Sequence, residues 1–283
     1  MKLSQSTASF YVPDRVQEPQ DLARITHLGI GAHQDDLEFM AYHGILAGYD
    51  STEKWFGGIT CTNGSGSPRE GKFVTYSDKE MQAIRRIEQN RAADIGQYAA
   101  MIQLDYPSEI VNDPHASGPV SDLVEILKAS RPEIIYTHHP MDQDPAHLGV
   151  MSTVIRAIRQ LSPSEQPQQL IGCETWRGLD WMLDHEKIIM HVGGNPELAE
   201  KLNGVYVSQI SGGIRYDLAT TGRRLANAAI LGSSQEENGD QVCFGIDLMP
   251  LTKADAPSMT DYIFGFIKRF AVHTKTHLQH IKS

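Results

Sequence analysis

Ligand-type side chains crowd into Gly31-Ala32-His33-Gln34-Asp35-Asp36-Leu37-Glu38, just after a short apolar run. Half of those residues can bind a metal or carry a proton. His33 and Asp36 stand three apart across a strand-to-helix turn, a spacing that lets an imidazole and a carboxylate converge on one ion. Asp35 between them need not be a ligand, and a nearby carboxylate that does not bind the metal can take the proton of an activated water. The competing reading is an aspartate that only caps the following helix.

A second cluster, His138-His139-Pro140-Met141-Asp142-Gln143-Asp144-Pro145-Ala146-His147, packs three histidines and two aspartates into ten residues. It also follows an apolar run, Glu133-Ile134-Ile135-Tyr136-Thr137, that reads as a buried strand. His147 falls in the first turn of the next helix and is placed to be a third ligand. Three protein ligands with one open position is the usual form of a catalytic zinc site. A His/His/Asp donor set suits zinc best, with iron, cobalt or manganese as substitutes. Cys61, Cys173 and Cys243 lie too far apart for a metal clip or redox pair and read as buried free thiols.

Both clusters need a scaffold that brings two strand ends together. Residues 25–31 read as a strand and 37–48 as a helix. The strand 55–62 opens into the Gly- and Ser-rich loop 63–71, read equally as a mobile surface loop or as a flap over the site. Ser77-Asp78-Lys79-Glu80 has capping-box spacing and starts a helix that stops at Gly96. A strand at 101–104, a helix through Val120 to Leu127, the strand 133–137 and a helix through Leu148 to Ile158 complete the alternation. Such β–α alternation over 25–160 implies an α/β fold, a mainly parallel sheet with helices on both faces. Both clusters then share one sheet edge. Residues 1–20 read as an irregular lead-in. Beyond 160 come strands at 170–174 and 187–190, a helix over 213–231, an edge strand at 242–248 and a closing helix over 262–281. One domain, 1–283, with a core of about 25–160 and a smaller C-terminal extension, is expected.

The chain of 283 residues carries a net charge of −10 and no basic run, which argues against a nucleic-acid partner. It has no stretch approaching the ~20 apolar residues of a membrane span. Its first residues lack a basic segment followed by an apolar one. A cytoplasmic protein with a small-molecule substrate is expected.

The two clusters in this order resemble the PIG-L or LmbE-like zinc-dependent N-deacetylases, which remove acetyl from N-acetylglucosaminyl groups. The family pattern Ala-His-Pro-Asp-Asp-x-Glu matches Ala32 to Glu38 with Gln34 in place of proline, and its Pro-Asp-His loop corresponds to 139–147. Arg85-Arg86-Ile87-Glu88 is similar to the family's Arg-x-x-Glu helix, and Tyr206-Val207-Ser208-Gln209 to its His-x-Ser-Gln element. The resemblance implies a Rossmann-like three-layer αβα fold and one zinc per chain, held by His33, Asp36 and His147. It also implies Asp35 as general base, Arg85 and Asp142 on the substrate, and a homo-oligomer (trimer or hexamer). For Arg85, a surface ion pair with Glu88 is the equal alternative. Where many members carry a histidine three before the last ligand, this chain has Asp144, and Ala146 replaces the aspartate that follows. Asp144 or His139 is therefore expected as proton donor. Trp176, Tyr206 and Arg215 are further candidates for a sugar pocket. The expected reaction releases acetate and a free amino sugar. The rivals are another metallohydrolase, such as an amidase or a two-metal phosphoesterase, and a catalytically silent sugar-binding homologue.

Overall fold

The computed structural model describes residues 1–211, 213–231 and 241–281. Its strands are β1 (Ser9–Tyr11), β2 (His27–Gly31), β3 (Phe56–Thr62), β4 (Ala100–Tyr106), β5 (Ile134–His138), β6 (Gln169–Cys173), β7 (Ile188–His191) and β8 (Val242–Asp247). They form one sheet in the order β1-β4-β3-β2-β5-β6-β8-β7. The five central strands β4, β3, β2, β5 and β6 are parallel, while β1 joins β4 and β8 joins β6 antiparallel. Every residue of β2 and β3 is buried. Burial on both faces is why these strands carry continuous apolar runs and close-packed glycines rather than alternation.

The chain leaves β2 toward β3 and β4 on one side, then crosses back to place β5 on the other. That reversal is a topological switch point, where open α/β sheets leave a crevice outside the strand ends. The two polar clusters follow the two strands that flank it.

The helices form largely where the spacing puts them. The Asp78–Ile95 helix opens with a complete capping box: Glu80 N–H donates to Ser77 Oγ, and Ser77 N–H donates to Glu80 Oε2. Gly96 ends it. The expected 37–48 helix is instead two, Asp36–Met40 and Tyr42–Gly48, broken at Ala41. In an unbroken helix the Glu38 and Phe39 carbonyls would accept from residues 42 and 43. Arg224 takes both instead, at 2.9 and 3.1 Å.

Three further expectations are corrected. The lead-in contains β1, which covers the β4 edge. Strand β8 is internal, paired with β6 and β7, and its five buried residues mark it so. The edge is β7, where Ile189 is exposed. The C-terminal third thus extends the same sheet. All three cysteines are buried and free. Among the described residues no helix is long and apolar enough to cross a membrane.

Candidate metal centre and active-site cavity

The loop after β2 sets Asp36 at the first turn of its helix, with the carboxylate buried beneath the two imidazoles. His33 Nδ1 lies 3.4 Å from Asp36 Oδ2, and His147 Nε2 lies 3.3 Å from Asp36 Oδ1. The three donor atoms fall within 4.8 Å of one another. Donors ~2.0–2.1 Å from one tetrahedral ion stand ~3.3–3.4 Å apart; the two imidazoles approach Asp36 at that spacing, each to a different carboxylate oxygen. Both ring nitrogens of His147 are buried without a well-formed hydrogen bond, which leaves a lone-pair donor for such an ion. His33 is the exposed corner of the set, its side chain 26% accessible, and turns the open face toward solvent. Without a metal, burial disfavours charge on His147, but Asp36 and Asp142 outweigh it and push the imidazole up to about 10. Burial also opposes charge on Asp36, and His147 and His138 overcome it to hold the carboxyl well below its usual range.

Behind the ligands sits a layer of orienting contacts. Asp142 Oδ1 faces His147 Nδ1 at 3.3 Å, and its oxygens also accept the Asp144 and Trp176 N–H groups. A carboxylate on the far nitrogen of a ligand histidine fixes its ring and raises its basicity. Asp142 therefore faces away from the cavity, and the expectation that it contacts substrate is corrected to one of positioning. Asp142→Ala is expected to weaken zinc binding ~10–100-fold, which a competitive chelator titration measures.

His138 stacks on His147 at 3.7 Å between ring centroids. Its Nε2 accepts the Ala32 N–H at 3.0 Å, and its Nδ1 lies 3.1 Å from Thr175 Oγ1. Burial lowers its pKa to about 4, so it is neutral. His138, Asp142 and His147 also converge within 4.8 Å, but with both His138 nitrogens engaged this set is a brace rather than a second ion site. His139 is further from the expected role. Its Nδ1 accepts the Met141 N–H and its Nε2 donates to the Arg177 carbonyl, so neither nitrogen reaches the cavity. The structure does not bring His139 to the reacting centre as a proton donor.

A cavity of about 660 Å³ opens over the ligands, lined by His33, Asp35, Asp36, Arg85, Asp144 and Trp176 among others. Gly64, Gly66, Ser67 and Pro68 form part of its wall, which favours the flap reading of that loop. Gly64 has φ +74, and a Cβ there would lie 2.7 Å from Gln34 Oε1, so this position requires glycine. Asp144 lines the cavity while its Oδ1 accepts the Ala146 N–H and caps the helix Pro145–Ile158.

Asp35 sits beside the ligands with φ 114, a backbone region costly for a non-glycine residue. Gln89 Oε1 accepts its N–H at 3.2 Å, and Gln89 Nε2 donates to Glu38 at 3.0 Å. Tyr98 and Tyr206 hydroxyls donate to the same Glu38 at 2.6 and 2.5 Å. This buried network holds the strained turn in place. Burial pushes the Asp35 carboxyl up to about 6 despite the Arg85 guanidinium 3.1 Å away. Arg85 is itself buried, with Glu88 at 3.9 Å. It is not a surface ion pair.

A protein-family model described as GlcNAc-PI de-N-acetylase, PIG-L, matches residues 28–158. The fold matches that of N,N'-diacetylchitobiose deacetylase from Pyrococcus horikoshii, with 17% identity and a TM-score of 0.63 over 88% of this chain and 92% of that one. Over residues 28–158 the chain resembles the PIG-L/LmbE-like family. Two more solved structures share the fold. GalB, the 4-carboxy-2-hydroxymuconate hydratase from Pseudomonas putida KT2440, is 14% identical, with a TM-score of 0.59 over 80% of this chain and 97% of that one. The pseudoaglycone deacetylase Dbv21 is 13% identical, with a TM-score of 0.57 over 80% and 98%. No curated protein sequence matches the chain.

The motifs that carry this resemblance meet in space. Ser208 of the Tyr-x-Ser-Gln element donates its N–H and hydroxyl to Glu88 of the Arg-x-x-Glu helix, at 2.7 and 2.6 Å. Tyr206 is fully buried on Glu38 and does not line a sugar pocket. Arg215 pairs with Asp217 at the surface, whereas Trp176 does line the cavity. Sequence reasoning missed Gln89 and Tyr216. Gln89 lies four residues after Arg85 on the same helix face, a spacing that could have revealed it. Tyr216, which packs 5.0 Å from Trp176 and 5.2 Å from Phe39 on the cavity wall, carries no comparable signal.

Proposed function

We propose that this chain is a zinc-dependent hydrolase that removes the N-acetyl group from an N-acetylglucosamine-type amino sugar or its conjugate, releasing acetate. The observation that carries this reading is a buried carboxylate, Asp35, on the cavity wall beside a three-donor set without being one of the donors. One zinc per chain would be held by His33, Asp36 and His147. When bound, it supplies Lewis acidity to the amide carbonyl and acidifies a water.

The chain's own residues do the rest. Asp35 accepts the water proton as the oxygen adds to the carbonyl carbon. The Gln89 contact and the left-handed turn keep that carboxylate aimed at the ligand set. Arg85, on the cavity wall and bound to Asp35, offers a fixed positive charge beside the reacting centre. As the C–N bond breaks, the proton held by Asp35 passes to the departing nitrogen, with Asp144 the second carboxyl on the wall able to serve there. The Trp176 and Tyr216 rings, 5.0 Å apart between centroids, form an aromatic wall beside the reacting centre. A homo-oligomer and a cytoplasmic location belong to the same reading.

The zinc-loaded protein is expected to release acetate from at least one N-acetylated amino sugar in a panel of free, oligomeric and conjugated forms, with one zinc per chain by elemental analysis. Absence of acetate release across the panel would sink the reading. A metal count near two would favour a phosphoesterase.

A further inference from the structure

A second, narrower cavity of about 60 Å³ also opens on Asp35 and Asp36. Its walls are Phe39, Trp176, Tyr216 and Ala219, with Arg223 among them. Phe39 and Arg223 also border a space of about 20 Å³ that includes Arg224 and Glu174. The first two cavities share Asp35, Asp36, Trp176 and Tyr216, and the last two share Phe39, Thr175, Thr220 and Arg223. The three spaces therefore run in sequence from the reacting centre to a pair of arginines.

Of those two arginines, Arg224 lies over the Tyr42 ring, 4.6 Å from its centroid, in a chain of net charge −10. Neither forms an ion pair with a carboxylate among the described residues. Arg223 donates to the Thr175 carbonyl, and Arg224 to the carbonyls of Glu38 and Phe39. Arg224 is 2% exposed, yet its Nε and Nη1 have no hydrogen-bond partner. Buried, charged N–H groups without an acceptor are costly. Glu174 faces Arg223 from beyond ion-pair distance, and its oxygens accept from Leu179 N–H, Asn227 Nδ2 and Phe244 N–H.

An amide placed over the ligand set sends its two substituents in opposite directions. The wide cavity, about 660 Å³, has room for the amine-bearing sugar, and the smaller one, walled by Phe39, Trp176, Tyr216 and Ala219, is left for the acyl chain. Resting on the hydrolase reading above, we propose that the narrow cavity is an acyl subsite for a chain longer than acetyl that ends in a carboxylate, with Arg223 and Arg224 as its counter-charges. The cavity of about 60 Å³ is several times the ~10–15 Å³ that holds one water, so it has room for an acyl chain longer than a methyl. The reaction is the same hydrolysis: water adds to the carbonyl carbon, the C–N bond breaks, and the products are a dicarboxylate and the free amine.

The test compares N-acetyl-, N-butyryl- and N-succinylglucosamine on the zinc-loaded protein. Butyryl and succinyl have equal chain length and differ in the terminal charge. The expected kcat/KM for N-succinyl exceeds that for N-butyryl by ~10-fold or more, the worth of a charge-assisted hydrogen bond. Arg223→Gln, chosen because Arg223 is half-buried and Arg224 is needed at the Ala41 break, is expected to erase most of that ratio. An N-succinyl rate no higher than N-butyryl, or a ratio unchanged in the variant, overturns the subsite while N-acetyl turnover leaves the hydrolase reading standing. If no N-acyl sugar is cleaved, the hydrolase reading fails instead. Calorimetry then decides the subsite: succinate binds the protein at least ~10-fold more tightly than butyrate, and equal affinities overturn it.

Discussion

Asp35→Asn is expected to keep about one zinc per chain and to lose ~10²–10⁴-fold in kcat, the usual contribution of a positioned general base. The two halves of that expectation come from different features. Metal retention follows because Asp35 lies outside the His33, Asp36 and His147 set. Asparagine also tolerates the left-handed φ of 114 better than most residues. Its backbone N–H still reaches Gln89, and its side-chain oxygen can still accept from Arg85. Turnover falls because an amide cannot take a proton from water near neutral pH. Elemental analysis and steady-state kinetics on the same preparation check both halves. Near-wild-type kcat with full zinc would move the base elsewhere, with Asp144 the next carboxylate on the cavity wall.

The sequence made the strand ends legible because period and residue type agreed there. Apolar runs gave β2 and β5, and the ligand types after them marked the crevice between. What it left unreadable depended on contacts between distant segments. His138 and His139 are adjacent and chemically identical, yet one stacks on His147 and the other bonds the Arg177 carbonyl. Successive residues at a strand end point to opposite sides, so only the strand's register decides which histidine serves the site. Asp142 and Asp144 pose the same problem. Two residues apart in an irregular loop, one orients His147 from behind and the other caps a helix at the cavity wall. The break at Ala41 was equally hidden, since the Phe39 carbonyl beside it is taken by Arg224, 185 residues further along the chain. Strand β8 looked like an edge because nothing local reveals that β7 pairs outside it.

His147→Ala is expected to lose both metal and turnover, and by more than the ~100-fold ceiling expected for loss of an orienting carboxylate such as Asp142. His147 is the residue of the proposed donor set that joins the two clusters, since its Nε2 faces Asp36 and its Nδ1 faces Asp142. Removing it takes away one of three donors and leaves two buried carboxylates without the imidazole between them. The fold itself then suffers, because an uncompensated buried charge is strongly destabilising. His33→Ala separates the two effects. His33 belongs to the same donor set, but its ring is the partly exposed one and shields no second carboxylate. Both variants are expected to bind zinc far more weakly in a chelator titration, whereas thermal melting of the metal-free proteins should show a large loss for His147→Ala and a small one for His33→Ala. Full zinc occupancy in either variant would mean that the ion is held by a different set of residues.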